Sequence, residues 1–291
     1  MHGRSLCGGA LALASLAGCR SDRAVPAAAA EVAAPAAAAS AAATAPNVVT
    51  FTATEYGYQG PKEIPAGPTV FRFSNQGKEL HHLVIVRLDG GMTYDSLLAA
   101  LKKPGPPPAW AHPVGGPNAA EPAGESNATQ DLPAGHYAVL CFIPSADGVP
   151  HVAKGMIRSL EVTPGSSTAT PEQADIIITL KDYTFDLSTP LTPGRHVIRV
   201  ENSGPQWHEL ALVKFAPGKS MADLAAWEQA GEKGPPPGSM MGGVSPMEQS
   251  AKGQFTVELT SGNYALLCFL PDSKDGKPHL MHGMAKSVTV G

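Results

Sequence analysis

The chain predicts an all-β fold, two tandem β-sandwich domains each carrying a short helical, proline-rich insert. Three observations carry the prediction. The 291 residues include 28 prolines and 31 glycines, so elements are short and turns frequent. Apolar runs are brief, β-branched or aromatic, and bounded by Gly, Pro or Asn. A set of residues recurs at a fixed offset: Glu55 and Asp182, Tyr56 and Tyr183, Gly67 and Gly194, Asn75 and Asn202, Tyr137 and Tyr264 are each 127 positions apart.

Residues 1–18 read as an export signal, with Arg4 followed by an apolar stretch from Leu6 to Gly18 too short to span a bilayer. Leu16-Ala17-Gly18-Cys19 resembles the lipobox of bacterial lipoproteins, which implies acylation of Cys19 and a place at the periplasmic or cell-surface side of a membrane, held by the lipid alone. Residues 19–46 are an alanine-rich tether interrupted by Pro26 and Pro35. The register then gives domain one at 47–163, a linker at 164–173 and domain two at 174–291.

Within domain one, strands are expected at Thr69–Phe73, Leu83–Val86 and Ser159–Val162; within domain two, at Ile176–Leu180, His196–Val200 and Ser287–Val290. One stretch per repeat reads as helix, Thr93–Lys102 and Ser220–Gly231. Each leads into Gly-Pro-Pro-Pro, and the inserts are expected to form a flap outside the sandwich. The net charge of -4 and the lack of a basic cluster argue against nucleic acid as a partner.

The chemistry-bearing residues follow the same register. His81 and His208, and Cys141 and Cys268, are 127 apart; His151 and His279, and Met156 and Met284, are 128 apart, so one residue is added to the second Cys-to-His loop. With signal removal and acylation, Cys141 and Cys268 are the thiols left for the folded body. Their equivalent places in two repeats argue against a disulfide. A thiolate, two imidazoles and a thioether form the donor set of a blue-copper site: sulfur suits Cu(I) and imidazole suits Cu(II).

In this order of ligands the chain resembles the cupredoxins, the blue-copper family, over nearly everything after Pro46. The resemblance implies a Greek-key sandwich with one mononuclear type 1 copper per domain. His81, Cys141, His151 and Met156 form one site; His208, Cys268, His279 and Met284 form the other. Nine and ten residues separate each Cys from the next His, longer than in the plastocyanin and azurin branches and more like the electron-accepting site of copper nitrite reductases. In nitrite reductases and multicopper oxidases a histidine beside the blue-copper cysteine ligates a catalytic copper. Here Leu140 and Leu267 precede the cysteines and Phe142 and Phe269 follow them, so no enzyme is expected.

The expectation is therefore an electron-transfer protein exchanging single electrons with exported redox partners. The alternative is an extracytoplasmic copper carrier or buffer, trading copper with donor and acceptor proteins, in which Met240, Met241 and Met247 of the second insert offer sulfur to Cu(I). His82 and Glu209, next to the first ligands, are expected to point outward, with a place behind the ligands as the alternative for His82. His282 is expected at the surface or behind the ligands.

Overall fold

The computed structural model describes residues 46–291 apart from 104, 106, 166–168 and 231–233. The export segment, Cys19 and the tether up to residue 45 lie outside the described residues. Among the described residues, no helix is long and apolar enough to cross a membrane.

The first half contributes β1 (Asn47–Thr54), β2 (Gly57–Gln59), β3 (Glu63–Pro65), β4 (Gly67–Asn75), β5 (Val84–Leu88), β6 (Ala111–Gly115), β7 (Glu125–Leu132), β8 (Gly135–Leu140) and β9 (Ile157–Thr163). The second contributes β10 (Ile176–Lys181), β11 (Thr184–Leu187), β12 (Gly194–Asn202), β13 (His208–Phe215), β14 (Gly238–Met247), β15 (Lys252–Leu259), β16 (Gly262–Leu267) and β17 (Ala285–Val290). Helices α1 (Tyr94–Leu101) and α2 (Met221–Gln229) interrupt the strand order once in each half.

The strands form two sheets that make a sandwich, and both sheets run through both halves. One has the order β11-β10-β12-β15-β7-β4-β1-β2, the other β17-β16-β13-β14-β6-β5-β8-β9-β3. The seams are antiparallel, with Gln254 opposite Thr129 in the first sheet and Met247 opposite Val114 in the second. At the first seam Asn127 and Thr256 exchange two hydrogen bonds of 2.8 Å. The connections from β4 to β5 and from β7 to β8 cross between sheets, as a Greek-key sandwich requires.

Side-chain alternation decides which residues reach the space between the sheets. On β8, Tyr137 and Val139 enter the inner core with Phe51, Phe71 and Ile85, while Ala138 and Leu140 face the other way, against α1. On β16, Tyr264 and Leu266 enter the inner core and Ala265 and Leu267 face α2. These strands are covered on both faces, so they read in the sequence as unbroken apolar runs. The same alternation carries Cys141 and Cys268 inward, one step beyond the strand ends.

Both helices start at capping boxes, Thr93 with Ser96 and Ser220 with Asp223, which satisfy orphan N–H groups of the first turn. Their single buried residues, Leu97 and Leu224, pack on the outer face of the nine-stranded sheet. The remainder of each insert corrects the flap expectation. Residues 111–115 and 238–247 are strands β6 and β14, which meet at the seam because their apolar positions find a sheet edge to extend.

Candidate metal centres

Each site is assembled on a loop pinned at both ends. In the first half the Cys141 N–H donates to the Met156 carbonyl (3.1 Å), the Val152 N–H to the Cys141 carbonyl (2.8 Å), and the His151 N–H to the Ile143 carbonyl (2.9 Å). The second half repeats these bonds from Cys268 to Met284 (3.2 Å), Leu280 to Cys268 (3.0 Å) and His279 to Leu270 (2.8 Å). The additional residue of the second loop is absorbed in the tip between Pro271 and Pro278, whose bridge matches that of Pro144 with Pro150. The loop length therefore changes without moving the ligand positions.

The first histidine is set by an asparagine. The Asn75 side chain donates to the carbonyls of Glu79 and Ala120 (both 2.8 Å) and accepts from the Gly77 N–H (2.8 Å), closing the turn that delivers His81. Asn202 does the same with Gln206, Met247 and Gly204. Gly77 and Gly204 lie against the ligand rings: a Cβ on either would sit 2.7 Å from the Nε2 of His81 or His208.

The donor atoms converge. His81 Nδ1 is 3.0 Å from His151 Nδ1, and Cys141 Sγ is 3.4 Å from His151 Nδ1. His208 Nδ1 is 3.1 Å from His279 Nδ1, with Cys268 Sγ 3.4 Å from His279 Nδ1 and 4.0 Å from His208 Nδ1. All six side chains are fully buried, and within each group the donor atoms lie within 4.8 Å of one another. Ligand bonds of about 2.0–2.1 Å to nitrogen and 2.3 Å to sulfur at tetrahedral angles place such donors about 3.3–3.6 Å apart, so a first-row metal ion fits both groups. Met156 and Met284 are fully buried in the same apolar clusters as Cys141 and Cys268. The two cysteines are free thiols.

Carboxylates orient the rings. Glu79 accepts from His151 Nε2 (2.6 Å) and from the Ser145 hydroxyl (2.8 Å), and Asp182 accepts from His208 Nε2 (2.6 Å). Glu55, fixed by the Lys78 and Glu79 amides, lies 3.5 Å from His81 Nε2. With Nε2 protonated toward an acid, Nδ1 is left as a lone pair facing the centre. Among the described residues, the Nε2 atoms of His81 and His279 have no hydrogen-bond partner. Position 206, the counterpart of Glu79, is a glutamine that donates to Asp182 (3.1 Å), the Tyr183 hydroxyl (3.2 Å) and Asp272 (2.9 Å).

The electrostatics follow from burial. Burial lowers the basicity of His81 and His208, and the neighbouring His208 assists burial in bringing His279 down to about 4. Burial would raise Glu79 and Asp182, but hydrogen bonds, from Ser145 and His151 and from Gln206 and His208, outweigh it and keep both low. Burial pushes the Cys141 thiol up to about 11 although the His82 and Ile143 amides donate toward its sulfur. Cys268 is raised further by burial and the Glu209 carboxylate, against the amides of Glu209 and Leu270.

His82 and Glu209 correct the outward expectation. Both are buried, because the β-strand alternation holding elsewhere is broken before β5 and at a bulge in β13. His82 Nε2 accepts from the Phe142 N–H (2.9 Å), and Glu209 Oε1 accepts from the Phe269 N–H (3.1 Å), so each fixes the residue after the cysteine. Burial pushes Glu209 up to about 7. Tyr58, whose hydroxyl donates to the His82 carbonyl (2.5 Å), has Phe185 as its counterpart. His282 lies at the surface, 3.1 Å from Asp275.

The methionines of the second insert do not form a flap. Met247 is fully buried in the inner core, Met240 packs against the α2 cluster and Met241 against the inner core, all on β14. In the first insert, Trp110 packs with the α1 cluster and His112 pairs across the seam with Glu248 (2.6 Å). Sequence reasoning passed over Glu79 and Ser145 as site-shaping residues. For Glu55 and Asp182 the signal was present, an acid recurring at the common offset.

The chain matches no family model and no curated protein. Among solved structures it is similar to a dithionite-reduced auracyanin from Roseiflexus castenholzii, at 26% identity over 42% of this chain and 100% of that one, with a TM-score of 0.27. It is also similar to a copper nitrite reductase from Nitrosomonas europaea (12% identity, 85% and 94% covered, TM-score 0.26) and to a multicopper oxidase (11%, 84% and 88%, TM-score 0.26). What defines the class is the chain's own geometry, an all-β sandwich with two buried groups of one Cys and two His able to hold a metal ion.

Proposed function

We propose that this is a cupredoxin-like electron-transfer protein, with one type 1 copper held by His81, Cys141, His151 and Met156 and another by His208, Cys268, His279 and Met284. The observation that carries the reading is the convergence of two imidazole Nδ1 atoms and one Sγ in each half, all fully buried, with a buried methionine in the same cluster. Borderline and soft donors in one rigid pocket suit a metal that alternates between Cu(I) and Cu(II).

Bound copper supplies exchange of single electrons. The chain supplies everything that keeps this cheap in reorganisation. The loop hydrogen bonds fix the ligand backbone, and Glu79 and Asp182 hold two of the rings in the tautomer that presents Nδ1. Two amides aimed at each sulfur offset part of the thiolate charge. Complete burial of the donors keeps water away, which favours electron exchange over metal release and so favours this reading over a copper carrier. Phe142 and Phe269, next to the cysteines and about two-fifths exposed, offer apolar surface to redox partner proteins. No histidine adjoins either cysteine, which supports electron transfer rather than catalysis at a second copper. The same reading places the chain outside the cytoplasmic membrane, anchored through an acylated Cys19; metabolic labelling with a fatty acid, abolished by Cys19→Ala, tests that part.

Loading with Cu(II) should produce strong visible absorption from thiolate-to-copper charge transfer. Cys141→Ala and Cys268→Ala should each remove part of it, and the double variant all of it. A colourless loaded protein refutes the proposal.

A further inference from the structure

The two halves differ at one buried connection, and it runs from one site to the other. Ala120 pairs with His81 through two backbone hydrogen bonds, His81 N–H to the Ala120 carbonyl (3.3 Å) and Ala120 N–H to the His81 carbonyl (2.9 Å). Two residues upstream, the Asn118 side chain leaves the first half and enters the second. Its Nδ2 donates to Glu209 Oε2 (3.3 Å) and to the carbonyls of Leu210 (3.0 Å) and Val244 (3.2 Å). Glu209 is covalently joined to His208, its Oε1 accepts from Phe269 beside Cys268 (3.1 Å), and its own N–H points at the Cys268 sulfur. Asn118 is 2% exposed and Glu209 5%, so the link lies inside protein.

The equivalent positions cross the seam in reverse only as far as the Pro117 carbonyl, which also accepts from the Leu83 N–H (3.1 Å), and among the described residues no side chain of that crossing bonds His82. The counterpart of Asn118 is Ser245, whose hydroxyl donates to the Pro117 carbonyl (2.8 Å). The counterpart of Glu209 is His82, whose Nε2 is used locally by Phe142. A buried carboxylate is costly, and an apolar residue of similar size would pack there at less cost. Holding the Phe269 amide does not by itself require a carboxylate, since an imidazole does the corresponding work in the first half.

We propose that Asn118 and Glu209 are positioning residues for electron transfer between the two sites, so that the chain is an internal relay rather than two independent carriers. This rests on the copper reading above. Electron tunnelling is favoured through covalent and hydrogen-bonded atoms over gaps, and the route from His81 through Ala120, Asn118 and Glu209 to His208 and Cys268 is bonded throughout. The step is balanced: one copper goes from Cu(I) to Cu(II) as the other goes from Cu(II) to Cu(I), with no bond made or broken and no proton transferred.

The test is pulsed reduction of the copper-loaded chain by less than one electron per molecule, followed by freeze-quench electron paramagnetic resonance. The Cys141→Ala and Cys268→Ala variants provide the reference signal of each site; absence of copper signals there refutes the copper reading and not merely the relay. In the unaltered chain the electron should redistribute between sites at a rate independent of protein concentration. Asn118→Leu should slow this several-fold while leaving the reference signal and the single-site potential of the Cys141 site unchanged. Asn118→Ser, too short to reach the carboxylate, should do the same if the leucine variant does not fold. Asn127→Ala removes a seam contact off the route and should leave the rate unchanged. In the metal-free chain, exchange of the Phe269 amide should quicken in Asn118→Leu. Redistribution proportional to protein concentration, an unchanged rate in the folded Asn118 variants, or equal slowing in Asn127→Ala overturns the relay.

Discussion

Single atoms set what each site can do. A thiol raised to about 11 is protonated at neutral pH, so Cys141 enters a thiolate bond only by losing a proton to solvent as the metal arrives. Cys268, raised further, behaves likewise. Copper uptake at pH 7 in weak buffer should therefore release one proton per site from the thiols, read as acidification on titration; uptake without proton release contradicts buried neutral thiols. The Glu79 to His151 hydrogen bond, at 2.6 Å, is the shorter of the two carboxylate contacts to the imidazoles of the first site, the other being Glu55 to His81 at 3.5 Å. Glu79→Gln in a Cys268→Ala background should weaken copper binding about 10–100-fold, as loss of a group behind a metal-bound histidine usually does. Competition with a chelator of known affinity measures it. The residues that come together, two His and one Cys in each half, were legible in the sequence because they recur in one order. Their orienting acids were not, since Glu79 becomes Gln206 in the second half and the contact is made by distant segments.

At the scale of elements, strands β5, β8, β13 and β16 separate two environments. Their inward residues pack in the clusters that contain the cysteines and Met156 or Met284, and their outward residues receive α1 or α2. Leu97 is the one buried side chain of α1 and packs on the outer face with Val84, Val86 and Leu140. Leu97→Ala should cost about 2–5 kcal/mol in denaturant unfolding of the metal-free chain. It should leave the copper spectrum unchanged, because Cys141 lies on the opposite face of the sheet. The helices were readable from Thr93 and Ser220 onward. The strands β6 and β14 were not, because Gly-Pro-rich segments acquire strand structure from the neighbouring strands that pair with them, β5 and β13 of their own halves.

For the whole molecule, the two repeats are joined by continuous sheets. Both seams carry backbone pairing, and Asn127 with Thr256 and His112 with Glu248 bind across them. The metal-free chain should unfold in one calorimetric transition whose measured and van't Hoff enthalpies agree; two separated transitions would mean independent halves. The repeat itself was visible as a constant offset, but its consequence was not, since an offset says nothing about which edges meet. The most direct test of two buried one-electron sites is a reductive titration of the copper-loaded chain followed by its visible absorption. Bleaching complete at two electrons per chain and restored on reoxidation is the result the account predicts. A colourless protein, or colour that is lost for good on reduction, contradicts it.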